Sequence, residues 1–245
     1  MWESISIVIP VYNSEDSLEE LHHSLSIFLY KNCRKYEMIL VDDGSHDNSY
    51  DKMQNLREKD KRVKVIQLEG NYGQQNALMC GFRFASGDYI ITMDDDLQHK
   101  PEDINKLLER LSQGYDVVYG IPQKKQHSFY RRFGSKLTNI LFNIITDKPA
   151  GIRVSSFRVF TREVLNKIIK DNRSFVYISS IILNHTINIS NISVNHLDRK
   201  HGRSNYNFFK LLRLFIKLFI YYSNSPLMKI FQTKSPQYKI KDKKL

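Results

Sequence analysis

Residues 87–104 read G-D-Y-I-I-T-M-D-D-D-L-Q-H-K-P-E-D-I. Tyr89 to Met93 has the β-branched and aromatic character of a buried strand, and it ends directly in Asp94-Asp95-Asp96. Three adjacent carboxylates at the end of a buried strand repel one another, and ionising them is costly without a counter-charge. A hard divalent cation that bridges them to phosphate oxygens removes that cost. The alternative is a solvated loop of helix-capping aspartates. The apolar Ile90, Ile91 and Met93 pull this edge inward and favour the metal. Gln98 can supply a further neutral oxygen ligand, whereas the adjacent His99 reads as a surface residue. Pro101 then opens a helix, with Glu102 and Asp103 placed to suit its dipole.

The same alternation of strand and helix extends outward from this stretch. Strands are expected at Ile5 to Val11, Tyr36 to Val41, Val63 to Leu68 and Val117 to Tyr119. Helices are expected at Leu18 to Tyr30, Ser49 to Glu58 and Gln74 to Ala85. This pattern implies an α/β fold with a mainly parallel sheet covered by helices on both faces. Ligands of such sheets bind at the carboxyl ends of the strands. Those ends here carry Tyr12-Asn13, Asp42-Asp43-Gly44-Ser45 and Asp94-Asp95-Asp96, so three chemically loaded segments fall on one sheet edge. Acidic side chains such as Asp42 and Asp43 can accept hydrogen bonds from ribose hydroxyls or a base N–H, although a simple turn with a helix cap also fits them. The loop and helix from Gly70 to Gly81 match neither the dinucleotide nor the ATP phosphate-loop pattern. Gly73, Ala77 and Gly81 recur four apart and would let that helix lie close to the sheet.

The chain has 245 residues, enough for one sizeable α/β domain, and its 41% hydrophobic and 26% charged residues mark a globular protein. Cys33 and Cys80 are too few for a disulfide framework and suit a reducing compartment. No signal-peptide pattern precedes the first strand. The net charge is +11, of which +10 lies from His196 onward, where twelve Lys or Arg face two Asp. A nearly neutral body with a basic C-terminal stretch points to a local anionic partner, a phosphate or an anionic membrane surface, rather than to nucleic acid.

The second half is more helical. Phe129 to Ile145 and Thr161 to Ile169 have helical patterns, Ser174 to Asn184 is ambiguous between helix and strand, and Ile187 to Leu197 alternates like a strand. The basic loop Arg199 to Tyr206 suits phosphate oxygens through its Arg forks, Gly202 and the Ser204 hydroxyl, although alone it reads more often as a solvated charge run. Phe208 to Tyr222 is apolar except for Lys210, Arg213 and Lys217, which share one helical face. It is too charged to span a bilayer and fits an interfacial helix, or a final helix packed on the core with a solvated basic face. The organisation expected is a catalytic body over 1–206 and a basic amphipathic helix and tail over 207–245.

Four segments together resemble family-2 glycosyltransferases of the GT-A fold: V-I-P-V-Y-N-S-E, V-D-D-G-S-H-D-N-S, N-Y-G-Q-Q-N-A-L-M-C-G and the stretch from Gly87 to Ile104. The resemblance is strong over about residues 4–120. Within that family the likeness is greatest to polyprenyl-phosphate sugar transferases of the dolichol-phosphate mannose synthase type. D-D-D-L-Q-H-K-P-E-D-I looks like their D-A-D-L-Q-x-x-P-E-x-I, and R-x-x-G-x-S-x-Y from Arg199 to Tyr206 looks like their R-x-x-G-x-S-K-Y. The resemblance implies a donor site of Pro10, Tyr12, Glu15, Asp42, Asp43, Gly73 and Asp95. It implies a DXD-type pair, Asp94 and Asp96, holding Mn2+ or Mg2+ with Gln98. Arg131, Ser135 and, more loosely, Arg158 correspond to the acceptor-phosphate region. Arg199, Gly202, Ser204 and Tyr206 correspond to the loop over the diphosphate. The chain departs from the pattern where Asn205 replaces a usual Lys and where Ile152 and Arg153 stand in place of an acidic residue. The C-terminal membrane spans of many relatives are missing.

The implied reaction is inverting transfer of a sugar from a UDP- or GDP-sugar. A phosphate acceptor is already anionic near neutral pH and needs no general base, whereas a sugar hydroxyl does. No base candidate stands outside the acidic clusters, which favours a polyprenyl phosphate over a glycan acceptor. The competing readings are a transferase acting on a saccharide or glycolipid hydroxyl and a non-catalytic basic binding module. A cytoplasmic location on the membrane face is expected, and a homo-oligomer is compatible with the sequence.

Overall fold

A computed structural model describes residues 1–123, 149–195, 197, 208–222, 230–232 and 235–245. In chain order the elements are β1 (Trp2–Val11), α1 (Leu18–Asn32), β2 (Cys33–Asp42), α2 (Ser49–Lys59), β3 (Val63–Leu68), α3 (Gln74–Phe82), β4 (Tyr89–Thr92), α4 (Glu102–Leu111) and β5 (Val117–Pro122). They continue as β6 (Arg158–Thr161), α5 (Arg162–Ile168), α6 (Ile178–Leu183), β7 (Ile189–Val194), α7 (Phe208–Tyr222) and β8 (Ile240–Lys244). The eight strands form one sheet in the order β7-β5-β6-β4-β1-β2-β3-β8. Strands β1 to β5 and β7 run in one direction, and β6 and β8 run against them.

Period-two alternation along the central strands builds a core on each face. Ile5, Ile7, Ile9 and Val11 of β1, with Met38 and Leu40 of β2, meet the apolar sides of α1, α2 and α4. Val8, Ile39 and Val41 point the other way, toward α3, α5, α6 and the buried side of α7. The small-residue stripe on α3 does part of what its spacing suggests. A Cβ at Gly81 would lie 2.4 Å from Val8 Cγ1, so only glycine lets α3 sit this close to the sheet. Gly73 is different: nothing lies within 4 Å of a Cβ there, but its φ is +90°. It turns the chain into α3 rather than packing it, because L side chains resist that backbone geometry.

The ambiguous stretch 174–184 resolves as the short helix α6. Two strands escape sequence reasoning: β6, only four residues long, and β8, whose I-K-D-K-K carries little apolar signal. β8 lies within the stretch read as helix and tail, so the region 207–245 contributes the edge strand of the central sheet, antiparallel to β3. The expected helix at Phe129 to Ile145 lies outside the described residues.

Candidate active site

The carboxyl ends of β1, β2 and β4 converge as the parallel arrangement requires. They surround a cavity of about 300 Å³ lined by Pro10, Val11, Tyr12, Asp43, Asn71, Gly73, Gln74 and Asp94 to Asp96. Its floor is the acidic triad. Asp94 accepts from Gln74 Nε2 at 2.5 Å and from Ser156 Oγ at 2.7 Å. Asp95 accepts from the backbone N–H of Tyr12 at 3.4 Å. Asp96 accepts from the backbone N–H of Gln98 at 3.2 Å, tightening the turn. That turn is carried by Leu97, whose φ is +60°, an uncommon conformation for a bulky residue. Its side chain is buried and pins the strain in place.

Burial and mutual repulsion shape the charge of the triad. Desolvation, with Asp96 adding repulsion, holds the Asp94 carboxyl above its ordinary range against the opposing bonds from Ser156 and Gln74. Desolvation and its two acidic neighbours push Asp95 up to about 6. Carboxylates that resist ionisation for these reasons gain most from a bound cation. Among the described residues no cluster of three or more His, Cys, Asp or Glu side chains is arranged to hold a metal by itself. An ion of the magnesium or manganese type can use one or two carboxylates and take its remaining ligands from phosphate oxygens and water. Asp94, Asp95 and Asp96 all line the cavity and could meet such an ion there.

Asp43 works on the architecture of the site. Its two oxygens accept from the N–H groups of Tyr72 and Gly73 at 2.7 and 2.8 Å, clamping the loop that enters α3. Burial, with repulsion from Asp42 adding, raises it to about 6. Gly44 makes the clamp feasible: its φ is +73°, and a Cβ there would lie 2.5 Å from the Gly70 carbonyl carbon. Asp42 is fully buried, with one oxygen accepting from the Ser45 N–H at 3.1 Å. Its other oxygen has no hydrogen-bond partner among the described residues.

Several expected residues stand elsewhere. Glu15 does not line the cavity; its Oε2 accepts from the backbone and side-chain nitrogens of Asn48 at 3.0 and 2.8 Å, joining the β1–α1 and β2–α2 loops. Gln98 also stands off the cavity, donating from Nε2 to the Leu197 carbonyl at 3.0 Å. His99 is not a surface residue: it is buried and stacks on Phe157 with centroids 4.4 Å apart. Arg158 is 1% exposed, which puts it in the interior rather than within reach of an acceptor phosphate. It donates to Thr92 Oγ1 at 3.1 Å and Ser179 Oγ at 2.9 Å. The Thr92 hydroxyl donates to the Ser156 carbonyl, and the Ser156 hydroxyl to Asp94, so Arg158 supports the triad from behind. Arg131, Ser135, Arg199, Gly202, Ser204 and Tyr206 lie outside the described residues. Gln74 and Asn71 are site residues that sequence reasoning misses. Both stand in the G-N-Y-G-Q-Q-N loop, but sequence alone does not show that the loop folds against the triad.

A doubly covered, mainly parallel sheet with paired carboxylates at its switch edge is the arrangement of a GT-A glycosyltransferase. The chain belongs to glycosyl transferase family 2, whose family model matches residues 6–169. It is 35% identical over 226 residues to an undecaprenyl-phosphate 4-deoxy-4-formamido-L-arabinose transferase of Klebsiella pneumoniae (strain 342), covering 92% of this chain and 69% of that protein. It is 36% identical over 224 residues to the Edwardsiella ictaluri (strain 93-146) protein of the same name, covering 91% and 69%. The fold is shared with Mycobacterium tuberculosis glucosyl-3-phosphoglycerate synthase, solved with Mn2+, UDP and glucosyl-3-phosphoglycerate. That match has a TM-score of 0.68 at 18% identity and covers 91% of this chain and 81% of that one. The protein is thus an enzyme, a glycosyltransferase, and the reading as a non-catalytic binding module falls away.

Proposed function

We propose that this glycosyltransferase moves a sugar from a nucleotide-diphosphate donor to a polyprenyl phosphate, with inversion and with Mn2+ or Mg2+ held by Asp94 and Asp96. The observation that carries the donor half is the cavity that gathers Pro10, Tyr12 and the Asp94–Asp96 turn. The acceptor half is supported by relatives that are named for transfer to undecaprenyl phosphate. In the reaction an acceptor phosphate oxygen forms a bond to the anomeric carbon. The bond from that carbon to the diphosphate oxygen breaks, and the nucleoside diphosphate leaves with the electron pair. A bound cation would supply charge neutralisation for that leaving group. The chain's own groups orient the donor: Asp43 fixes the wall that carries Gly73 and Gln74, and Arg158 holds the Ser156–Asp94 contact. We further assign Arg131, Ser135, Arg199 and Ser204 to phosphate contacts on the strength of the family resemblance.

A panel of UDP- and GDP-sugars offered with undecaprenyl phosphate in detergent tests the proposal. One donor should yield the lipid-linked sugar, EDTA should abolish the product, and manganese or magnesium should restore it. Asp96→Ala should lower turnover by at least about a hundredfold, the effect of losing roughly 3 kcal/mol of transition-state stabilisation. Glycosylation of saccharides with undecaprenyl phosphate ignored would refute the acceptor half, and full activity in EDTA would refute the metal.

A further inference from the structure

Gln74 joins two walls of the cavity. It is the first residue of α3, a helix that packs on β1 and β2, and its Nε2 reaches over to Asp94 Oδ1 beyond the end of β4, 2.5 Å away. The chain is tied down on both sides of it. The Gly73 N–H ahead of it donates to Asp43 at 2.8 Å, and Gln75 Oε1 after it accepts from the Ile178 N–H at 3.0 Å. Asp94 is pinned as well, its other oxygen accepting from Ser156 Oγ at 2.7 Å. These contacts give the Gln74 carboxamide one orientation. Nε2 is turned to the carboxylate and Oε1 away from it, because the reverse would set two oxygens against each other. Oε1 is the end left for a ligand.

The place of Gln74 along the cavity decides which part of a ligand it meets. Across the sheet edge the strands run β2, β1, β4, β6 in sequence of position. Tyr12, just past the end of β1, lines the cavity 44% exposed and offers a nucleobase a ring face. The acidic triad beyond β4 is where a cation could meet a diphosphate. A sugar on the far phosphate then falls past the triad, toward β6, where Asp94 meets Gln74 and Ser156. Asp43 is poorly suited to contact that sugar, since both its oxygens already accept from the Tyr72 and Gly73 N–H groups.

We propose that Gln74 is a specificity-determining residue for the transferred sugar. Its Oε1 accepts a hydrogen bond from a hydroxyl or amide N–H of that sugar, and Asp94 is the anchor that aims it. The proposal rests on the nucleotide-sugar reading above and adds a residue that distinguishes one sugar from another. A site built to hydrogen-bond a substrate O–H or N–H discriminates against a ligand with nothing at that position.

Calorimetric titration of the full chain in the presence of Mn2+ tests it and needs no acceptor. The ligands are UDP, GDP, UDP-glucose, UDP-galactose, UDP-N-acetylglucosamine and GDP-mannose. Gln74→Met keeps the length of the side chain and removes both hydrogen-bonding ends. It should weaken the tightest nucleotide sugar by about tenfold, the order for one hydrogen bond between uncharged groups, and leave the matching free nucleotide within about twofold. The spread of Kd among sugars on one nucleotide should narrow. Gln74 is exposed, so the urea midpoint should stay at the wild-type value. Equal losses for free nucleotide and nucleotide sugar would show that Gln74 acts only through the triad and overturn the proposal, as would unchanged Kd values. Both results leave the nucleotide-sugar reading standing. A wild-type protein that binds none of the nucleotide sugars overturns that reading and the proposal with it.

Discussion

Arg158 shows how a residue's environment decides its role. As a sequence position it is a cation near a phosphate-handling region; in the fold it is a fully buried guanidinium bonded to Thr92 and Ser179 behind the acidic triad. Arg158→Met keeps much of the volume but leaves the Ser179 hydroxyl without its donor and removes the positive charge near Asp94. It should cost about 2–4 kcal/mol of unfolding free energy by urea titration, the range for stripping a buried charged hydrogen-bond network. Unchanged stability with acceptor binding alone weakened would restore Arg158 to the acceptor site. Asp43 carries a pH signature. Burial raises its carboxyl from an ordinary 3.8 to about 6. The unfolded chain therefore gives up this proton first, and Asp43's contribution to stability is complete below about pH 4 and lost as pH rises through about 6. A difference of that size corresponds to about 3 kcal/mol. Urea titrations of metal-free protein at pH 4.5 and 7 should show about 2 kcal/mol of this loss, and Asp43→Asn should flatten it. An identical pH slope in the variant would remove Asp43 as the source.

Helix α7 behaves at the element scale as a two-sided object. Leu218, Tyr221 and Tyr222 are buried against the core, held in part by Arg173 stacked 4.0 Å over the Tyr222 ring. The opposite side exposes Arg213 and Lys217 together with Ile216 and Phe219, which are 49% and 39% exposed. The packed expectation holds for the buried face of this helix, and the interfacial one would concern the exposed face; the Lys210 side chain lies outside the described residues. Among the described residues no helix is long and apolar enough to cross a membrane. We therefore propose peripheral attachment through the exposed arc. Co-sedimentation with phosphatidylglycerol vesicles should be strong at low salt and weaken at 0.5 M, because exposed charges are screened within roughly 10 Å at 0.1 M already. Ile216→Ser with Phe219→Ser should weaken it about tenfold or more. Lack of binding at low salt would leave packing as the whole role of α7.

At the scale of the whole molecule the C-terminal segment closes the sheet. β8 pairs with the β3 edge, Asp242 accepts from Tyr50 Oη at 2.7 Å, and the Leu245 carbonyl accepts from Arg57 at 2.8 Å. Ahead of β8, Arg83 donates to Gln237 and Tyr238 at 2.8 and 2.6 Å. Truncation after Ser235 would remove these contacts and bare the edge of β3, a site for non-native strand pairing. The expected result is a fall in Tm of roughly 5–10 °C, at about 2–4 °C per kcal/mol for a chain of this size, with increased aggregation. A Tm equal to that of the full chain would show the edge strand to be dispensable.

Local pattern was enough to specify the alternating strands and helices through β5, the parallel β1, β2 and β4 edge, and the gathering of Tyr12, Asp43 and Asp94 to Asp96 there. Hydrophobic period sets each element, and a parallel sheet sends all its strand ends to one side. Which neighbours those residues meet came from three-dimensional packing alone. Gln74 reaches Asp94 from 20 positions away, Arg158 is enclosed behind the triad, and Glu15 is turned to Asn48. β6 and β8 also waited for the fold. A four-residue strand, or a five-residue one in which a single isoleucine precedes lysines and an aspartate, carries too little apolar pattern to declare itself. Pairing with partners distant in sequence supplies what their composition lacks.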